Sequence, residues 1–272
     1  NDEELLVNRS KARIENGAPI KIISKKEALK NEPTINPNIR MAAYCEIDGY
    51  VNSYKTGLVF AKKFKQLGVK LKENMNVKNI INNGNKYEIR FSNNETILEA
   101  KKILISGGVW LNEMLKWFDL KINLKCLPQQ LIVTERLDKI LKSVITIANG
   151  KLSMKQYPNG TVLIGGGWPG NRSKQDTFEV IPNNLIGNMQ LACHSIPKLK
   201  KSRVVRVWGG LEAETKDAMP IMDKLPNFNN VYALGSFHSG YTSGPYVGYL
   251  MSEMIKGNYK LNHNLFSLSR LL

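Results

Sequence analysis

A mixed fold, part α/β and part α+β in two interleaved layers, is what this sequence of 272 residues predicts. Three observations carry that expectation. An opening helical pattern feeds a short strand. A meander of strand signals follows between residues 69 and 100. Two later apolar strands, one ending at Gly107–Gly108 and one at Gly235, each run into glycines ahead of a helical pattern. Strand ends of that kind, side by side in one sheet, form the crevice in which open α/β sheets take ligands.

The elements follow in order. "DEELLVNRSKARIENG" reads as a helix ended by Gly17, and "IKII" as a short strand. Ser24 with Glu27 makes a capping box for a short helix stopped before Pro33. "NPNIRMAAYCEIDGY" reads as loop and short extended structure. Residues 53–67 are an amphipathic helix with Leu58, Ala61, Phe64 and Leu67 on one face and Gly68 at its end. "VKLK", "VKNIIN", "KYEIRFS" and "ETILEA" read as strands, with Asn82–Asn85 and Ser92–Asn94 supplying turns. "KKILISGG" is a buried strand before the helical "WLNEMLKWF". "QQLIVTE" and the pair "LSMKQYPNGTVLIGGG" are further strands, the pair turning at Pro158–Gly160. "NNLIGNMQLACHSI" is a helix, "SRVVRVWGGLEAE" a long strand, "NVYALGS" a strand and "PYVGYLMSEMIKG" a helix ended by Gly257.

Composition is that of a globular chain: 42% hydrophobic residues, with no apolar run long enough for a transmembrane helix. The formal net charge is +16. Lys outnumbers Arg by about three to one and Asn is abundant, as in a chain from an AT-rich genome. The lysines are scattered at amphipathic spacing and no basic stripe is interleaved with aromatics, so a solvated surface is favoured over a nucleic-acid site. Cys45, Cys126 and Cys193 are far apart and form no CxxC, which fits buried thiols in a reducing, cytoplasmic compartment, with a membrane-peripheral position as the alternative, and no metal centre.

Three motifs stand out. "ILISGGVW" reads either as a tight βα turn or as a place where a ligand approaches the backbone. In "GSFHSGYTSG", Gly235, Gly240 and Gly244 remove side chains while Ser236, Ser239, Thr242 and Ser243 offer donors, and His238 is a candidate polar contact. The helix that follows turns free N–H groups toward the loop, which suits an anion or a ring that becomes anionic. "VWGGLEAETKDAMPIM" taken alone reads as a strand leaving a sheet edge. HExxH, GxSxG and Walker patterns are absent, and no carboxylate pair has suggestive spacing, so hydrolase and kinase readings have no support.

In this order the motifs resemble the FAD-dependent amine and amino-acid oxidoreductases, the superfamily of D-amino-acid oxidase, glycine oxidase and sarcosine oxidase. Gly235, Gly240, Tyr241, Pro245 and Gly248 match its C-terminal pattern. Trp208, Gly209, Gly210, Leu211, Thr215, Asp217 and Pro220 match a second, and Ser106 to Trp110 a third. Asp48, Gly49, Val51, Gly68, Val69, Val77 and Ile80 match a fourth. "TVLIGGGWPG" looks most like the sarcosine oxidase β-subunit and opine oxidase branch.

The resemblance implies the C-terminal part of an FAD-binding Rossmann-like domain interleaved with an antiparallel-sheet substrate domain. Residues 1–50 would open the substrate domain and 51–120 belong to the FAD domain. Residues 121–205 would return to the substrate domain and 206–260 to the FAD domain, with 261–272 a tail. It implies non-covalent FAD held by Val77, Gly107, Gly108, Gly235, His238, Ser239, Gly240, Tyr241 and Thr242. It implies a substrate met by Tyr50, Arg206, Trp208, Glu212 and Thr242. The activity implied is oxidation of the C–N bond of an amine or N-substituted amino acid to an imine, by hydride transfer to the flavin. No catalytic acid or base is assigned, since the cofactor carries the chemistry. The family's GxGxxG unit has no counterpart here, so the chain is expected to be a fragment, inactive alone. Glu212 and Thr242 stand where relatives carry carboxylate-binding cations, and Gly210 where some tether flavin. These departures motivate an alternative, a catalytically inactive flavin-binding or structural subunit of a heteromeric oxidase. A basic nucleic-acid-binding protein is a more distant one.

Overall fold

A computed structural model of the chain describes residues 2–92, 94–173, 177–235, 240–259 and 264–272. Helix α1 (Asp2–Glu15) carries Asp2, Glu3 and Glu4 in its first turn, where they complement the helix dipole, and Gly17 takes φ +86° just beyond its end. Strands β1 (Ile20–Ser24) and β2 (Met41–Cys45) pair antiparallel around α2 (Lys25–Asn31). The expected capping box is present: Ser24 Oγ accepts from Glu27 N, and the Glu27 carboxylate accepts from Ser24 N at 2.9 Å. Helix α3 (Ser53–Gln66) buries none of its residues. The expected strand at Val69–Lys72 does not form, because four residues with two lysines find no pairing partner among the described residues.

The meander β3 (Val77–Asn82), β4 (Tyr87–Phe91) and β5 (Asn94–Ala100) forms as expected, with Gly84 at φ +86° in its first turn. Strand β6 (Ile103–Ile105) is short. The helical stretch after it is one short helix, α4 (Leu111–Leu115), between two 3-10 turns at Gly108–Trp110 and Lys116–Phe118. Then come β7 (Leu124–Arg136), β8 (Ile145–Thr146), β9 (Ser153–Gln156), β10 (Thr161–Gly165), β11 (Asn171–Arg172) and β12 (Phe178–Glu179). Helix α5 (Pro182–Ser195) has Pro182 at its start. The chain closes through β13 (Val204–Thr215), β14 (Ile221–Lys224), β15 (Val231–Gly235) and α6 (Gly240–Lys256). Helix α6 starts five residues before the expected Pro245. Pro245 is the sixth residue of this helix, past its first turn, where a proline both gives up the bond its missing N–H would make and crowds the carbonyl four residues earlier.

The chain divides into two compact units, residues 1–60 with 128–210 and residues 61–127 with 211–272. The first is built on an antiparallel sheet of order β13-β7-β10-β9-β8. One face of it, with Ile132, Met154, Val162 and Ile164, packs against Ala192, Ile196 and Leu199 from α5 and the turn after it. Asn188 of α5 donates to Gly165 O at 3.1 Å. Segments distant in sequence are tied in by the Glu32 side chain, which is 4% exposed and accepts from Lys142 N at 2.8 Å and Ser143 N at 3.0 Å.

In the second unit β15 lies between β14, antiparallel, and β6, parallel. Alternation splits β15: Val231 and Ala233 pack with Leu111, Leu115 and Phe118, while Tyr232 packs with Met222 and Met251 of α6. The C-terminal segment is clasped here. Arg270 binds Asp217 at 2.8 Å and donates to the Met219 and Pro220 carbonyls, and Asp223 accepts from Ser267 Oγ and Leu268 N.

Candidate functional site

In the second unit the register of the parallel pair runs Val231↔Ile103, Tyr232↔Leu104 and Ala233↔Ile105. Continued by two residues, it sets Gly235 beside Gly107, so both glycine-bearing ends leave the sheet at one edge. Gly108 takes φ +58°, a left-handed backbone, and a Cβ there would meet nothing within 4 Å among the described residues. Gly235 likewise tolerates a Cβ, whose nearest neighbour is Leu111 Cδ2 at 3.4 Å. At Gly107 a Cβ would overlap the flexible end of the Met114 side chain, which would have to move aside.

Gly240, Tyr241 and Thr242 form the first turn of α6 rather than a loop. Tyr241 and Thr242 are exposed there, where free N–H groups and the positive dipole end are presented. His238 and Ser239 lie outside the described residues. Val77 opens β3 in the separate meander, beside a bulge between it and Asn79. The structure thus brings Gly107, Gly108 and Gly235 together at the carboxyl ends of adjacent parallel strands and does not add Val77 to them. Backbone without side chains, open space and a helix start suit a flat, phosphate-bearing group such as FAD.

Of the other expected contacts, Arg206, Trp208 and Glu212 lie on a strand and Tyr50 on a connecting segment. Along β13, Gly209 turns its Cβ position onto Phe178, so Arg206, Trp208 and Gly210 occupy the opposite face. Arg206 and Trp208 are exposed there, a Cβ on Gly210 would meet nothing within 4 Å among the described residues, and Glu212 continues the row half-buried. The Arg203 main chain bonds to Glu135, its carbonyl accepting from Glu135 N and its N–H donating to the Glu135 carboxylate, both at 2.9 Å. Tyr50 is in the first unit, its hydroxyl donating to Gln156 O at 3.0 Å and its ring edge-on to Tyr157 at 5.3 Å.

The sequence reading missed Lys155, whose Nζ sits 5.3 Å from the Tyr50 ring centroid and 5.9 Å from that of Tyr157. No local signal marks it: "KQYPNG" reads only as the approach to a hairpin. Burial pushes its pKa down. Asp217, read as one position of a motif, proves structural. Besides Arg270 it accepts from Thr215 Oγ1 at 2.9 Å and Met219 N at 3.1 Å. The three cysteines are free and half-buried rather than fully buried, and burial pushes the Cys193 thiol up, away from reactivity. Among the described residues no cluster of His, Cys, Asp and Glu is arranged to hold a metal ion, and no helix is long and apolar enough to cross a membrane.

The chain is similar to known proteins in sequence and in fold. The chain is 22% identical over 240 residues to the hydrogen cyanide synthase subunit HcnC of Pseudomonas aeruginosa, covering 87% of this chain and 56% of that protein. It is 23% identical over 257 residues to the sarcosine oxidase subunit beta of an Arthrobacter species, covering 92% of this chain and 62% of that protein. The chain therefore spans little more than half the length of these relatives. The crystal structure of glycine oxidase from Geobacillus kaustophilus superposes with a TM-score of 0.86 at 19% identity, covering 98% of this chain and 71% of that one, which shows the fold. Residues 1–254 match the family described as FAD dependent oxidoreductase, and the chain is a member of that family.

Proposed function

We propose that this chain belongs to an FAD-dependent oxidoreductase that oxidises the C–N bond of an amine or N-substituted amino acid to an imine. The observation that carries the reading is the pair of parallel strand ends, β6 and β15, that deliver Gly108 and Gly235 to one edge. The 61–127 and 211–272 unit serves the cofactor and the 1–60 and 128–210 unit serves the substrate.

FAD is held without a covalent bond. Gly210, where some relatives tether flavin, offers no nucleophile. Gly107 and Gly108 lie along the ring, and Val77 meets the adenine end through its backbone. The stretch from Gly235 through His238, Ser239, Gly240 and Tyr241 to Thr242 holds the ring system, and the start of α6 favours negative charge beside it. When bound, the flavin supplies the chemistry, taking a hydride from the substrate α-carbon and leaving an imine that water hydrolyses. The chain's own work is to bind and orient: Trp208 and Tyr50 offer apolar surface, Arg206 a cation and Glu212 a carboxylate suited to the amine.

A second reading is a flavin-binding subunit without catalysis in a heteromeric oxidase. Glu212, standing where relatives bind a carboxylate, favours it, as do the subunit names of the relatives. Anaerobic addition of secondary amines and amino acids to the natively purified flavoprotein separates the two. Bleaching of the flavin band by at least one compound supports the enzyme, and an unbleached flavin across the panel supports the silent subunit.

A further inference from the structure

The open face of the five-stranded sheet carries a cation that no carboxylate among the described residues neutralises. Lys155 lies on β9 between Met154 and Gln156. Met154 joins the core under α5, so Lys155 points to the opposite face. In register it stands opposite Leu163 of β10, and Leu163 stands opposite Val133 of β7. Leu163 and Val133 are thus next to it at about 5 and 10 Å across the strands. Among the described residues no carboxylate is within ion-pair distance of its Nζ.

Two tyrosine rings hold this cation instead, and the rings are themselves fixed. Tyr50 is anchored through its hydroxyl to Gln156 O and edge-on against Tyr157. The Gln156 side chain accepts from Ile140 N at 2.8 Å and Leu141 N at 3.0 Å and donates to Asp138 O and Gly160 O. The amine is therefore positioned before any ligand arrives. Ring faces attract a cation but do not neutralise it, and burying a charge without a counter-ion is costly. The downward shift of the Lys155 pKa reports that cost.

We infer that Lys155 is the carboxylate anchor for an amino-acid ligand whose apolar body lies over Leu163 and Val133. This places the anchor on β9 of the first unit. It deepens the proposed amine oxidation by naming its substrates as amino acids rather than simple amines, and it rests on that reading.

Trace acylation of the native full chain, with the modified fraction at Lys155 read by peptide mass spectrometry, tests the site without turnover. N-methylglycine and acetate should each slow labelling of Lys155 several-fold, and dimethylamine, which lacks the carboxylate, should leave it unchanged. Equal labelling with and without both carboxylates overturns the assignment. In the flavin-loaded enzyme, Lys155→Met should raise KM for its amino-acid substrate about 10- to 100-fold with kcat little changed, while Lys155→Arg retains most affinity. An unchanged KM in Lys155→Met overturns the anchor and leaves amine oxidation standing. Protection of Lys155 without any flavin bleaching keeps the anchor and removes the oxidation.

Discussion

The two parts of this molecule proposed to face a ligand are made in different ways. At the strand ends of β6 and β15 the surface is backbone: Gly108 in a left-handed conformation, Gly235 beside it, and the start of a 17-residue helix. On the open face of the five-stranded sheet the surface is side chain: Lys155 against Tyr50 and Tyr157, with Leu163 beyond. Backbone surfaces accept what is common to all members of a family, here the cofactor. Side-chain surfaces carry what distinguishes one member from another. The contrast makes distinct demands on mutation, since the first fails when a side chain is added and the second when one is removed.

The largest effect should come from the long-range tie beneath the side-chain surface. Glu32→Ala removes the acceptor of two backbone N–H groups in a buried place. It should cost about 3 kcal/mol in denaturant unfolding; a loss within experimental error would mean that Glu32 does not hold the 141–143 segment. Next, Gly108→Ala forces a left-handed conformation on an alanine, for about 1 kcal/mol by the same assay. Tyr50→Phe loses one hydroxyl bond to Gln156 O, also about 1 kcal/mol at most given its partial exposure, and keeps the ring under Lys155.

The smallest effect is a pH dependence. Arg270 holds the Asp217 carboxyl well below the usual carboxylate range. A lowered folded-state pKa stabilises the native state fully above about pH 4, and that contribution fades as pH falls below it. Arg270→Ala should therefore lower the melting temperature slightly at neutral pH and flatten the decline in acid. An equal decline in both proteins would show that the clasp is not ionic.

How legible each surface was in the sequence follows from the same contrast. Gly107–Gly108 and Gly235 announce themselves because glycines at the end of an apolar strand are a local signal, and the register that sets them side by side follows from parallel pairing. The β9–β10 hairpin and the Ser24–Glu27 capping box were equally readable, since each is specified within a few residues. Lys155 was not, because its meaning depends on Tyr50, 105 positions earlier (155 − 50), and on the orientation of one strand face. Glu32 was hidden for the same reason: its partners lie 110 and 111 residues away. The start of α6 was misplaced because Pro245 looks like a first-turn residue, and nothing local says that the helix already began at Gly240.

The most direct test of the account is the flavin content of the natively purified protein beside its Gly235→Ala variant. Among the described residues the nearest contact of that methyl is Leu111 Cδ2 at 3.4 Å, an ordinary van der Waals distance, so stability should change by no more than about 0.5 kcal/mol. The account predicts that the native protein carries flavin released by acid precipitation, and that the variant, equally folded, carries much less. A native protein without flavin, or a variant that retains it in full, would contradict the placement of FAD at these strand ends.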